Sequence, residues 1–365
     1  MIGQRGLPAS YGGIERHVQE LAVRLVQRGH EVVVFCRRNY TEVHPPTYRG
    51  VKLWYSPTYS SKHLEAAFHS AVSSALTVGR GFDIIHYHAV GPGLWSPVAR
   101  WLTRAKVIQT IHGLDQDRAK WGGFARRVLQ AGDWLSHRVP DALIVVGAYL
   151  LDHYRDRRRL TVHIPNGVEV DMERDDSVLR RLGLVAGGYV LFVGRLIPEK
   201  AVDHLLAAFS RVATGLRLVI VGGSSFTDTY EARLKELAAA DPRVVLPGYV
   251  YGPELASLYS GAALYVQPSL LEGLPLTVLE AMSHDLPILL SDIPAHLEIL
   301  PKARPGGRLF PAGNITALAE ELVGALAATP ADRRAAAVAG MAIRDRYSWD
   351  SVTDLTARLY HEVSG

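Results

Sequence analysis

The sequence predicts an α/β protein made of two Rossmann-like domains with mostly parallel sheets. Three observations carry that prediction. The apolar β-type runs are continuous rather than alternating, as expected of strands buried on both faces. Helical stripes separate those runs almost throughout, and such alternation builds right-handed βαβ units. The alternation also restarts near Tyr189, after the polar stretch Glu169–Arg181, and 365 residues suit about two domains.

In the first half the expected strands are Val32–Phe35, Val51–Trp54, Asp83–Tyr87, Val107–Ile111, Ala142–Val146 and Val162–Ile164. In the second half they are Tyr189–Val193, Arg217–Val221, Val244–Leu246, Ala263–Val266 and Pro287–Leu290. Ile14, Val18, Leu21, Ala22, Leu25 and Val26 share one helical face, and Gly29 stops that helix. Helices are also expected over Asp203–Ala213, Tyr230–Ala240, Pro275–Ser283 and Ile315–Ala327. The junction falls at about residues 165–175, giving domains 1–168 and 169–348. A last helix near Trp349–Val363 is placed to return to the first domain. Met1-Ile2-Gly3-Gln4 is short for a buried first strand, so either the strand is stunted or its start lies upstream.

Composition narrows the function. With 48% hydrophobic residues the chain can fill two cores, yet no apolar run approaches the roughly 18 residues of a membrane span. No basic-then-apolar leader opens it. The single cysteine, Cys36, ends an apolar run and reads as a buried structural thiol, which points to a cytoplasmic protein. Lys and Arg number 40 against 36 acidic residues, a net charge of +4. Such mild excess, scattered among acids, suits nucleotide phosphates or acidic lipids and speaks against a nucleic-acid partner.

Four constellations carry chemistry. Gly6-Leu7-Pro8-Ala9-Ser10-Tyr11-Gly12-Gly13-Ile14-Glu15 precedes an amphipathic helix, whose first N–H groups can face an anion. It is not G-x-G-x-x-G, so no dinucleotide is implied, and a plain tight turn is the competing reading. Gly194-Arg195-Leu196-Ile197-Pro198-Glu199-Lys200 follows the strand Tyr189–Val193, where a guanidinium and an ammonium can neutralise a diphosphate or simply be solvated. Pro268–Ala281 follows the strand Ala263–Val266. It places Glu272 in a loop, Pro275 at the opening of a helix and Glu280 on that helix. The N–H groups near Leu276 and Thr277 can hold a phosphate, and Glu280 can accept ribose hydroxyls. Lastly, His86, His88 and His112 end strands at a carboxyl edge, which suits ligand contact, with an ordinary core or surface histidine as the competing reading for His86. Two of them with Asp115 raise a metal reading, but no third-ligand spacing accompanies them and no metal is expected.

Together these motifs resemble the family 4 glycosyltransferases of GT-B architecture, over nearly the whole chain. The marks are Glu272 and Glu280 in a Ser-x-x-Glu-Gly-Leu-Pro setting, Gly194-Arg195-x-x-Pro-Glu-Lys200, Ile164-Pro165-Asn166-Gly167-Val168 and Thr110-x-His112-Gly113. The opening Gln4-Arg5-Gly6-Leu7-Pro8…Tyr11-Gly12-Gly13-Ile14-Glu15 is similar to a rhamnosyltransferase-like bacterial subgroup. The resemblance implies two sheets facing a central cleft. It implies that Arg195 and Lys200 hold the donor diphosphate and that Glu272, with the Gly273 and Leu274 amides, meets the donor sugar. Glu280 would hold the ribose and His112 would contact the sugar near the reacting carbon. Gly194 and the Gly12-Gly13 loop would lie at the phosphates, and His86, His88 and Asn166 on the acceptor side. Ala201 departs from the glycine that usually follows the lysine.

The implied reaction moves a sugar from a nucleotide diphosphate to a glycan or lipid-linked acceptor, with retention and without bound metal or other cofactor. No obvious Asp-x-Asp metal motif stands at a strand end, which agrees with that expectation. Trp121, Phe124, Val128 and Leu135 among Arg126, Arg127 and Arg138 form an amphipathic surface suited to the inner membrane face, or an ordinary core-packed helix. Two other readings compete: a nucleotide-sugar 2-epimerase, against which the Glu272…Glu280 setting speaks, and a non-catalytic sugar-nucleotide-binding module.

Overall fold

The computed structural model describes residues 1–10, 12–57, 65–114, 123–155, 159–170, 173–223 and 228–365, with backbone only for 124, 125 and 228. Tyr11, Asp115, Trp121 and the side chain of Phe124 therefore lie outside the described residues. The chain divides into two compact units, Met1–Gly167 with Trp349–Gly365, and Val168–Ser348.

In the first unit the strands are β1 (Val33–Arg37), β2 (Thr47–Tyr48), β3 (Val51–Ser56), β4 (Ile84–His88), β5 (Lys106–Ile111), β6 (Ala142–Val145) and β7 (Leu160–His163). They form one sheet of order β1-β3-β2 and another of order β4-β5-β6-β7. All pairs are parallel except β2 with β3. The short start of the chain joins these sheets. Ile2 N donates to His86 O at 2.9 Å and His88 N to Ile2 O at 2.8 Å, while Phe35 N and Arg37 N donate to Met1 O and Arg5 O. Ile2 is fully buried and forms an isolated parallel bridge with Tyr87, so this segment bridges β1 and β4.

The second unit contains β8 (Tyr189–Val193), β9 (Arg217–Val221), β10 (Val244–Gly248), β11 (Leu264–Gln267), β12 (Ile288–Ser291) and β13 (Gly307–Phe310). These pair in parallel in the order β10-β9-β8-β11-β12-β13. Every residue of β8, β11 and β12 is buried, which is why their sequences are continuous apolar runs. Val190, Phe192, Leu205, Phe209, Leu218 and Leu322 meet on one face of this sheet. The chain reverses direction through the sheet between β8 and β11, which makes that point the topological switch.

Two strands escape the sequence pattern. β2 has only two residues, and β13 is an edge strand, Gly307-Arg308-Leu309-Phe310, whose exposed arginine breaks the apolar run. The last helix, Trp349–Ser364, lies against the helix Gly13–Gln27. Arg28 donates to Asp354 Oδ1 at 2.6 Å and to Asp350 Oδ1 at 3.0 Å. A Cβ at Gly167 would sit 2.5 Å from the Trp349 indole, so the residue after Asn166 has to be glycine where this helix begins. Gly167→Ala should destabilise the first unit by about 1–3 kcal/mol through overpacking. Scanning calorimetry should show one transition moving down while the other stays, and an unmoved first transition would contradict the packing described.

Candidate donor-phosphate and sugar site

Because the sheet reverses at β8 and β11, the loops that leave their carboxyl ends open side by side. Leu270 N donates to Glu199 O at 2.8 Å, tying one loop to the other. Gly194 N and Leu196 N donate to Val221 O and Gly223 O, which fixes the path of the arginine loop. Gly222 has φ +136, and a Cβ there would fall 1.8 Å from Gly194 O, so only glycine allows this approach.

This arrangement brings Lys200 onto Glu272, with Nζ 2.5 Å from Oε1. Their side chains are only 13% and 9% exposed, which removes the pair from the class of weak surface ion pairs. Ser269 Oγ and Gln267 Nε2 also donate to Glu272 Oε1, at 2.7 and 2.9 Å. Tyr265 holds Gln267 in turn, its hydroxyl donating to Gln267 Oε1 at 2.6 Å. Burial alone would raise the Glu272 carboxyl, but the Lys200 ammonium and these donors hold it at about 2. His296, buried on the helix Pro294–Ile299, is part of the same electrostatic group. Burial pushes its imidazole down to about 4, against the pull of Glu272. Sequence reading missed His296, since a lone histidine in an apolar helix gives no motif.

The helix that follows begins at Leu276, with Pro275 as its N-cap rather than its first residue, and no side chain caps it. Leu276, Thr277 and Glu280 are half-buried there, beside Gly273. Tyr259 donates to Glu280 Oε2 at 3.0 Å, orienting the carboxylate expected to hold ribose. Arg195 is half-buried on its loop.

In the first unit, Gly12 caps the helix Gly13–Gln27 with φ 103 and no side chain caps it by a hydrogen bond, but the buried Glu15 carboxylate lies against Gly12 and accepts from Arg5 N at 3.2 Å. His112 is half-buried at the end of β5, with His88 Nδ1 3.3 Å from its Nε2. The expectation that His86 and His88 face an acceptor needs correction, because they are 2% and 0% exposed. Their strand sits centrally, between the chain's start and β5, so both rings point into the packed layer. His86 is held by Thr110 at 2.7 Å and by Tyr360 of the last helix at 2.6 Å. Asn166 is also buried, and His17 Nδ1 donates to its Oδ1 at 2.9 Å. His17 was absent from the expected residues, although it fits the stripe of Val18 and Leu21 by helical spacing. Its ring lies 4.7 Å from that of His112, and burial lowers it to about 4. Ring nitrogens of His17, His88 and His112 fall within 4.8 Å of one another. Cys36 is 1% exposed, and burial pushes its thiol up to about 11.

On the helix Gly123–Ser136 the amphipathic surface differs from expectation. Leu129 is buried and Val128 and Leu135 half-buried, so these aliphatics face the unit's own core. Among the described residues the helix's exposed aromatic is Trp134, 54% exposed with Arg138 stacked on it at 4.2 Å, and Arg126 and Arg127 of the same helix are exposed as well. Asp115-Gln116-Asp117, an Asp-x-Asp spacing that follows β5, lies outside the described residues.

Comparison with known proteins agrees with this geometry. Residues 11–172 match the family described as Glycosyltransferase Family 4, and residues 187–328 match Glycosyl transferases group 1. The chain is 28% identical to the alpha-maltose-1-phosphate synthase of Mycolicibacterium smegmatis, covering 98% of this chain and 97% of that protein. It is also 28% identical to the phosphatidyl-myo-inositol mannosyltransferase of Mycobacterium leprae, covering 97% and 94%. Among solved structures, Anabaena HepE in complex with UDP and glucose superposes with a TM-score of 0.81 at 17% identity, covering 99% and 98%. Sucrose-phosphate synthase from Thermosynechococcus elongatus gives 0.78 at 21%, covering 99% and 95%. Two parallel α/β units of this kind define the GT-B class of glycosyltransferases. Within it, the chain belongs to family 4.

The buried pair generates a stability test. Lys200→Met leaves Glu272 uncompensated and should cost roughly 3–5 kcal/mol, so this variant reports stability as well as rate. The Glu272 carboxyl lies below its ordinary 4.5, so its contribution is present above pH 4.5 and lost as pH falls toward 2. Glu272→Gln should flatten that acid limb in thermal melts, and an unchanged limb would contradict the pairing.

Proposed function

We propose that this glycosyltransferase takes its sugar from a nucleotide diphosphate donor and that Arg195 and Lys200 neutralise the departing diphosphate. The observation that carries this reading is the convergence of Lys200 and Glu272 at the switch point of the second unit, where open parallel sheets bind ligands. Lys200 enters the site already balanced by a carboxylate. A diphosphate can take over the ammonium, which frees Glu272 to accept hydrogen bonds from sugar hydroxyls. The uncapped helix at Leu276 and Thr277 offers N–H groups to phosphate oxygens, and Glu280 accepts from ribose. Gly194, Gly273 and Leu274 supply close backbone at the phosphates and sugar. Gly12, Gly13 and the half-buried His112 of the first unit carry the roles that the family resemblance implies.

Transfer proceeds with retention. The acceptor hydroxyl attacks the anomeric carbon on the face the diphosphate leaves, as the bond from carbon to phosphate oxygen breaks. The hydroxyl proton passes to the departing phosphate oxygen. Charge develops on the leaving diphosphate, and fixed cations there need no metal partner. A cytoplasmic enzyme acting on a glycan or lipid-linked acceptor, in cell-surface polysaccharide synthesis, suits the names of the relatives, which include a phosphatidyl-myo-inositol mannosyltransferase. Trp134 with Arg138 stacked on it, and the exposed Arg126 and Arg127 of the same helix, would rest at an anionic membrane surface. Sedimentation with anionic vesicles, lost in Trp134→Ala, tests that half of the reading.

Arg195→Ala should lower the transfer rate about 100- to 1000-fold while the melting temperature stays near wild type. The assay is transfer from a panel of nucleotide sugars, with and without EDTA, with the product anomer read by NMR. Equal rates for the variant, or abolition of transfer by EDTA, would overturn the assignment.

A further inference from the structure

Outside the motifs considered so far, three titratable side chains of the first unit converge on one point. Asp133 and His137 stand one helical turn apart, with His137 N donating to Asp133 O at 3.2 Å, and so share a face. His153 comes from the short helix Leu151–Tyr154, which follows β6 as the Asp133 helix precedes it. His153 Nε2 lies 3.2 Å from Asp133 Oδ2, and His137 Nε2 lies 3.9 Å from the same oxygen. All three donor atoms fall within 4.8 Å of one another.

We propose that Asp133, His137 and His153 bind a divalent transition-metal ion of the zinc class, with water completing the coordination. Two imidazoles and one carboxylate form a zinc-type donor set. With metal–ligand arms of about 2.0–2.1 Å, donor atoms of a tetrahedral site stand roughly 3.4 Å apart. The two separations at Asp133 Oδ2 bracket that value, so closure needs only a small movement of His137. The carboxylate is already oriented, because the Tyr154 hydroxyl donates to Oδ1, and His153 Nε2 lies closer to Oδ2, at 3.2 Å, than to Oδ1, at 3.4 Å. Tyr154 is itself 1% exposed and its ring stacks on His137 with centroids 4.9 Å apart, which anchors the support in the core. The His153 side chain is 42% exposed, so an ion has a way in. A bound ion would staple the helix before β6 to the helix after it.

The buried histidines His17, His88 and His112 are a weaker candidate. They bring no carboxylate, and His17 Nδ1 is engaged outside the cluster by Asn166. The Asp133 site belongs to the first unit, and Lys200, Glu272 and Glu280 belong to the second. Metal binding there and metal-independent transfer therefore stand or fall separately.

The test titrates cobalt(II) chloride, then zinc chloride, into the full chain carrying no polyhistidine tag. Wild type should take up one equivalent of cobalt, with the intense visible absorption of a tetrahedral site, and zinc should displace it. Zinc should raise the melting temperature by a few degrees. His137→Ala/His153→Ala, which changes partly exposed positions, should lose both signals and keep the metal-free melting temperature and the EDTA-insensitive transfer rate. No uptake by wild type, or equal uptake by the double variant, would overturn the proposal.

Discussion

The reversal of strand order between β8 and β11 is the constraint from which the candidate site follows. A parallel strand must be re-entered by a crossover, and crossovers from adjacent strands normally crowd the same end of the sheet. Where one goes left and the next goes right, their loops separate and leave backbone free for a ligand. The arginine loop after β8 and the glutamate loop after β11 sit at that gap. Gly222 packs against Gly194 so closely that no other residue fits, and Leu270 is bonded to Glu199. The site is thus held by backbone before any side chain is considered.

Charge then decides what this gap can do. Lys200 and Glu272 are desolvated together, which is tolerable only because Ser269 and Gln267 satisfy the carboxylate as well. Tyr265 behind Gln267 and Tyr259 behind Glu280 extend the same logic, each buried hydroxyl aiming a polar group toward the open end. The first unit uses a different device. Burial holds His17, His86 and His88 well below the ordinary imidazole range, and two of them are tied to residues far along the chain, Asn166 and Tyr360. The helix Trp349–Ser364 is in this way part of the support beneath His112.

Much of this was legible in the sequence. The fully buried strands β8, β11 and β12 announced themselves as apolar runs, and the Gly194–Lys200 and Pro268–Glu280 segments could be placed at their ends. Alternating or two-residue edge strands could not, as Arg308 in β13 shows. For the histidines of the first unit the sequence left a ligand-facing and a core position open, because depth depends on strand order, and His86 and His88 lie on a central strand. His17 and His296 needed tertiary contacts to appear at all. Trp134 was passed over for Val128 and Leu135 because helical spacing identifies a face without saying which way it points. Pairing of Lys200 with Glu272 likewise required the sheet order, since the two are 72 residues apart.

The most direct test of the account is amide hydrogen exchange of the chain with and without saturating nucleoside diphosphates. The switch-point reading predicts that the bound base protects peptides covering residues 194–200 and 268–280, and that Arg195→Ala weakens that protection. Protection confined to other segments, or none with any nucleoside diphosphate, would contradict it.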